Sequence, residues 1–220
     1  MRSERSRAGA VASGQNAADR PAGFSKVAAV TVAFWILKVV MTTAGDLSGD
    51  ALSLSLKLGY GRALIVVVAV FAGLFAAQCR TRRFVPWLYW LLILSASAVG
   101  AEISDSLDRA MHWGDSVGTG VLFGALVIAL GVWFVRRGTV RFAPIVTRLD
   151  EGFYWLTAVI ASSAGSAFGD WVGDSLGWGL SGGIAVNLGI ALLVLLLWRT
   201  SRISRGALYW IAFVVTRVPF

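Results

Sequence analysis

Residues 89–105 read YWLLILSASAVGAEISD and residues 154–170 read YWLTAVIASSAGSAFGD. Laid over one another they match at the aromatic pair, at a small hydroxyl residue, at a glycine and at a closing aspartate. Residues 34–50, FWILKVVMTTAGDLSGD, follow the same plan, and YWIAFVVTRVPF at 209–220 begins it again. The aromatic pairs are Phe34-Trp35, Tyr89-Trp90, Tyr154-Trp155 and Tyr209-Trp210, with tryptophans 55, 65 and 55 residues apart. The same offsets align Thr42, Ser97 and Ser162; Gly45, Gly100 and Gly165; Gly49, Ser104 and Gly169; and Asp50, Asp105 and Asp170. Nine residues later they align Gly59, Gly114 and Gly179. Several columns agreeing at one set of offsets mark a tandem repeat. The ten extra residues of the middle offset fit the longer basic stretch around Arg136 to Glu151.

Each unit is long enough for two membrane-spanning helices. Of the 220 residues, 57% are hydrophobic and 15% charged, and the mean hydropathy is +0.72. A soluble domain carries about 25% charged residues, so an ordinary soluble enzyme and a disordered chain are both excluded. A helix needs roughly 20 apolar residues to cross the hydrocarbon layer. Seven segments approach that, at about 27–46, 63–79, 86–103, 118–135, 152–169, 182–198 and 206–220. The expected fold is all-α, a polytopic transmembrane helix bundle of tandem two-helix repeats. Two spans per unit preserve direction, so the repeats are parallel, about an axis along the membrane normal.

Basic residues orient it. Fifteen of the 20 Lys and Arg fall in the N-terminal tail and in alternate loops, including Lys26, Arg80, Arg83, Arg136, Arg137, Arg148, Arg199 and Arg205. Lys57, Arg62 and Arg109 hold the opposite side. By the positive-inside rule the N-terminus is cytoplasmic, in a bacterial inner membrane. The formal charge of +8 is thus a topology code, and nucleic acid is not an expected partner. Residues 1–25 lack the apolar run of a signal peptide and read as a disordered cytoplasmic tail. The repeat domain covers 26–220, in units of about 26–83, 84–141, 149–203 and a partial 204–220.

The sequence resembles a family of bacterial membrane proteins built from four tandem copies of a repeat of unknown function, each copy with two transmembrane segments and a characteristic tryptophan. The resemblance runs over about 26–220 through the four aromatic-led stretches quoted above. It implies the architecture and no activity. The chain departs from four full copies at its end. The aligned aspartate of the last copy would fall at position 225, beyond Phe220, and Arg217 stands in the hydroxyl column. Three complete units and the start of a fourth are expected, about seven spans, with the C-terminus outside.

Small residues four apart allow close helix approach. Gly45/Gly49, Gly100/Ser104 and Gly165/Gly169 therefore place the first helix of each unit in an inner set, with the more apolar return helices facing lipid. Trp35, Trp90, Trp155 and Trp210 are expected in an interfacial belt or between helices. Near the outer ends of the inner set lie Asp46, Asp50, Glu102, Asp105, Asp170 and Asp174. Carboxylates at bilayer depth cost about 2.5–3.5 kcal/mol each and need a partner or a water path. With Thr42, Thr43, Ser97, Ser162 and Ser163 they form an oxygen-rich set, suited to proton exchange or to a hard or intermediate cation of unknown identity. The alternative is that an aspartate after glycine at a helix end only caps the turn. Lys38 and Arg217 are the counter-ion candidates, and for Lys38 the alternative is snorkelling to the surface.

No signature of hydrolase, metalloprotease, P-loop or dinucleotide binding is present. His112 is the only histidine and Cys79 the only cysteine, read as an inert thiol. No enzymatic activity and no cofactor are expected. The expectation is a cation or proton-coupled transporter using the repeated carboxylates, with a non-transporting accessory or scaffold protein as the alternative. The lipid bilayer is the expected partner, and homo-oligomer formation is open.

Overall fold

A computed structural model describes residues 25–81, 83–140, 145, 147–201 and 203–217. The proposed disordered tail before Ser25, and Arg82, Arg141, Arg202 and Phe220, lie outside the described residues. Among the described residues seven α-helices follow one another: α1 Val32–Asp50, α2 Tyr60–Arg80, α3 Pro86–Asp105, α4 Asp115–Arg137, α5 Arg148–Asp170, α6 Gly179–Thr200 and α7 Arg205–Val215. No strand occurs among the described residues. Among the described residues five helices are long and apolar enough to cross a membrane: α1, α2, α3, α4 and α6, the first and third with their C-terminal extensions. The length of α5 would suffice, but Asp150, Glu151 and its serines dilute its hydropathy. Within the described residues α7 has 11 residues.

The first helix starts five residues later than the hydrophobic run suggests. Thr31 caps it, its hydroxyl accepting a hydrogen bond from Phe34 N at 3.2 Å. Ahead of the cap, Ser25–Val30 is a non-helical strap, bent at Lys26 and Val27, that bonds to distant parts of the chain. Lys26 N donates to the Ile145 carbonyl at 3.0 Å, and Gln78 Nε2 donates to the Lys26 carbonyl at 3.2 Å. Lys26 Nζ also pairs with Glu151 at 2.8 Å, both side chains being buried.

Burial separates two layers. In α3 and its extension 72% of the span is buried, against 17% in α2, 28% in α4 and 17% in α6. The helices that open the units (α1, α3, α5 and α7) form the inner set, and the return helices α2, α4 and α6 lie outside it. Each return helix packs along the inner helix of the following unit, α2 on α3, α4 on α5 and α6 on α7.

The glycine column explains the close inner spacing. A Cβ on Gly45 would stand 2.7 Å from Ser97 Cβ, one on Gly100 2.7 Å from Ser162 Cβ, and one on Gly165 2.8 Å from the Val214 carbonyl. So each glycine backbone lies against the hydroxyl column of the next unit, where Arg217 takes the fourth place. Gly49 meets the Ala98 carbonyl and Glu102, and Ser104 and Gly169 are buried on the same helix faces.

At the far end of each inner helix the chain adopts one geometry three times. A π-helical turn extends it, at Ala51–Ser55, Ser106–Ala110 and Trp171–Ser175. Lys57, His112 and Gly177 then take left-handed backbones with φ of 55°, 59° and 70°. Two residues on, Gly59, Gly114 and Gly179 do so again with φ of 74°, 76° and 62°. The conserved spacing of those glycines within the chain is therefore a turn requirement, since glycine alone reaches positive φ without steric cost. Lys57 meets that cost with a side chain that is exposed. Lys57→Gly should raise stability by up to about 1 kcal/mol, the left-handed penalty less glycine's extra entropy in the unfolded chain. Thermal unfolding in detergent measures it, and a loss of stability would contradict the turn reading.

Candidate functional site

The four inner helices enclose an axis, with basic loops at one end and the carboxylates at the other. Near the basic end the aromatic pairs form a closed ring. Each tryptophan stands edge-on to the aromatic before it, 5.2 Å between centroids in all four pairs. Each ring also meets the next unit: Phe34 to Trp90 at 5.7 Å, Tyr89 to Trp155 at 5.5 Å, Tyr154 to Trp210 at 5.7 Å, and Tyr209 back to Trp35 at 5.8 Å. The tryptophans therefore pack between helices. The tyrosine hydroxyls meet in a chain, Tyr89 to Tyr154 at 2.7 Å and Tyr154 to Tyr209 at 3.0 Å. Buried hydroxyls need such partners, and the hydroxyls of Tyr89 and Tyr209 also come within reach of one another.

A turn further along, Lys38 is fully buried and does not snorkel. Its ammonium donates to the Phe213 carbonyl at 2.7 Å and to Thr216 Oγ1 at 3.0 Å, and sits over the Phe213 ring at 4.7 Å. Phe213 is the repeat equivalent of Lys38 itself, three units on.

The next layer is the hydroxyl column. Ser97 Oγ has both the Thr42 carbonyl, at 2.9 Å, and Asp46 Oδ1, at 2.7 Å, within reach of its hydrogen. Arg217 enters from α7. It forms a buried ion pair with Asp46, and it donates to the Ser162 carbonyl at 2.9 Å and the Ser97 carbonyl at 3.2 Å. Asn187 of α6 donates to the Arg217 carbonyl at 2.8 Å. Asp46 has Ala101 and Ser166 at its aligned positions, so its charge, like those of Lys38 and Arg217, occurs in a single unit. All three meet at the seam where the last unit closes on the first. Arg217 is thus the counter-ion of Asp46, while Lys38 serves a carbonyl and a hydroxyl.

At the acidic end Asp50, Asp105 and Asp170 come within electrostatic range of a common pair of guanidiniums, Arg109 and Arg217. Asp105 pairs with Arg109 at 3.5 Å, and Arg109 donates to Tyr60 OH at 3.3 Å. Asp105 is buried, Asp50 and Asp170 are half-buried, and Asp174 is exposed on the π-helical turn. Glu102 is fully buried on the side of α3 that faces Gly49 of α1, within electrostatic range of Asp50 and Asp105, and has no ion pair among the described residues. Ser53 lies next to it, but that hydroxyl donates to the Gly49 carbonyl at 3.1 Å. Among the described residues no group of three or more His, Cys, Asp or Glu is placed to hold a metal ion. Sequence reasoning missed Asp108, buried on the second π-helical turn, which fills the space beside Gly118 at the N-terminus of α4. It missed the Lys26–Glu151 pair as well. None of these three residues belongs to a repeated column, which was the signal available.

These units coincide with a known sequence repeat. The model of a family described as a Repeat of Unknown Function (DUF347) matches residues 33–84, 88–139 and 153–204. The chain belongs to the DUF347 repeat family. No curated protein and no solved structure matches it significantly. Each DUF347 segment takes in one inner helix, its π-helical turn and its return helix. The three segments end ahead of α7, which supplies the fourth place in the aromatic ring and the fourth member of the hydroxyl column.

Proposed function

We infer that the protein is a proton-coupled transporter whose path follows the axis of the inner helices. The observation that carries the reading is the gathering of Asp50, Asp105 and Asp170 at one end of that axis, above the Asp46–Arg217–Ser97 layer. Intramembrane carboxylates that face a bundle interior, in reach of one another and of a cation, are the recurrent parts of proton relays. Two guanidiniums beside the carboxylates oppose entry of a free metal cation, which favours the proton over a divalent ion. The reading places the basic loops in the cytoplasm and the carboxylates outside, following the positive-inside rule, and assigns no enzymatic step. It needs no cofactor.

The test is proton flux into proteoliposomes that enclose a pH-sensitive dye and are driven by a potassium diffusion potential. Wild-type protein should carry flux above protein-free vesicles. Neutralising the three carboxylates together (Asp50→Asn, Asp105→Asn and Asp170→Asn) should lower it by about tenfold or more, equivalent to about 1.4 kcal/mol on the limiting barrier. Flux at the level of empty vesicles, or an unchanged rate in the triple variant, would overturn the reading and leave the accessory or scaffold role.

A further inference from the structure

Glu102 is a buried carboxyl that no neighbour serves. Its surface is wholly covered, and neither of its oxygens has a hydrogen-bond partner among the described residues. The other buried carboxyls differ. Asp46 has Arg217, Asp105 has Arg109, Glu151 has Lys26, and Asp108 has the Ser104 hydroxyl at 3.5 Å. The charges that reach Glu102, Asp50 at the end of α1 and Asp105 on α3 itself, are both negative, and α2 and α5 add none to them. Gly49 of α1 gives the side chain its room, since a Cβ there would stand 3.2 Å from Oε1. Nor does the fold require a carboxyl at that place, where the other units carry Leu47 and Ala167. An ionised carboxylate without donor or counter-ion in an apolar interior is far costlier than the neutral acid.

We propose that Glu102 is a proton-binding site, a carboxylic acid that holds a proton without a counter-ion and exchanges it with the acidic end through Ser53. Ser53 is buried on the first π-helical turn, beside Glu102. Its hydroxyl donates to the Gly49 carbonyl at 3.1 Å, which leaves the oxygen able to accept from the acid. When the proton leaves, the same hydroxyl turns and donates to the carboxylate instead. One rotation thus serves both protonation states, with no movement of a helix. Asp50, half-buried at the end of α1, is the outlet to water. The step is a bare proton transfer: the carboxyl O–H bond breaks as an O–H bond forms on the acceptor, and nothing else is consumed. The use of this site in a path rests on the proton-transport reading, whereas the binding itself does not.

Infrared spectra of the protein in lipid at neutral pH should show a carboxylic-acid carbonyl band that shifts in heavy water and is lost in Glu102→Gln, which keeps the shape of the side chain. A second measurement needs no variant. Dicyclohexylcarbodiimide adds to protonated carboxyls in apolar surroundings. The acid proton goes to one nitrogen, the carboxylate oxygen joins the central carbon, and the acyl group then migrates to nitrogen with nothing released. Peptide mapping of treated wild-type membranes should find that acylurea on Glu102, and the label should be lost at alkaline pH. Wild-type protein without label on Glu102, or a folded Glu102→Gln that keeps every acid band, would overturn the proposal. So would a Glu102 band that never shifts in heavy water, since the acid would then be closed to exchange. Neither measurement reads flux. A labelled, exchanging Glu102 in a protein whose vesicles carry no protons would overturn the transport reading and leave this site standing.

Discussion

Arg217→Ala should destabilise the protein by about 3–5 kcal/mol, the range for removing one partner of a buried ion pair. The loss exceeds that of one contact because the guanidinium holds three acceptors on three other helices: Asp46 of α1, the Ser97 carbonyl of α3 and the Ser162 carbonyl of α5. Without it the buried Asp46 carboxylate keeps its hydrogen bond from Ser97 but loses its counter-ion. Asp46→Ala should cost less than Arg217→Ala, since the two carbonyls stay bonded. Combining them should cost less than the sum, by an interaction energy of about 0.5–3 kcal/mol, because neither charge is then left unpaired. Equilibrium unfolding in mixed micelles measures all three. An Arg217→Ala cost under about 1 kcal/mol, or strict additivity, would mean that the pair does not hold the seam.

That seam has a general cause. Neighbouring units in a tandem chain are tethered by their connecting loop, and their glycine columns pack closely against the next helix, with Ser97 Oγ also reaching the Thr42 carbonyl. The last and first units have no tether and must be joined by tertiary contacts. The single-unit charges Lys38, Asp46 and Arg217 all lie there. Each uses a side chain of one terminal unit and an acceptor of the other, 171–178 residues away in the chain. In an apolar interior such bonds leave few alternative registers for α7, because a shift by one turn would strand a buried cation.

Much of the fold was legible because the repeat writes the same physical requirement several times. The glycine column at Gly45, Gly100 and Gly165 marked the inner layer, and the column at Gly59, Gly114 and Gly179 marked what proved to be a left-handed turn. The convergence of Asp50, Asp105 and Asp170 could be framed from spacing as a question, though not answered. An aligned column says which positions are equivalent. It does not say which neighbour a side chain meets, since that depends on helix crossing and on how the ring closes. This is why Asp46 and Lys38 read as site and counter-ion, whereas the structure couples Asp46 to Arg217 and Lys38 to the Phe213 carbonyl. It is also why Val27 to Val30, apolar enough to begin a helix, form a strap. The decisive acceptor is Ile145, about 120 residues away in the chain and invisible to local periodicity.

The glycine column itself supplies the second large effect. Gly100→Ala should destabilise the bundle by about 1–3 kcal/mol, the cost of overpacking a site with no room, and Gly100→Leu should prevent assembly of the inner ring. The added Cβ would lie 2.7 Å from Ser162 Cβ and 2.8 Å from Ser163 N, which is backbone and cannot swing aside. The helices would have to separate, and with them the Ser97 and Ser162 carbonyls that Arg217 bridges. Gly45→Ala should behave alike against the Leu94 carbonyl and Ser97. The control is Gly124→Ala on α4, where nothing lies within 4 Å of the new methyl. There alanine should stabilise by about 0.5–1 kcal/mol through helix propensity alone. The contrast in sign between Gly100→Ala and Gly124→Ala is the decisive quantity, because propensity favours alanine equally at both. If Gly100→Ala also stabilised, close approach of the inner helices would not be what requires glycine in that column.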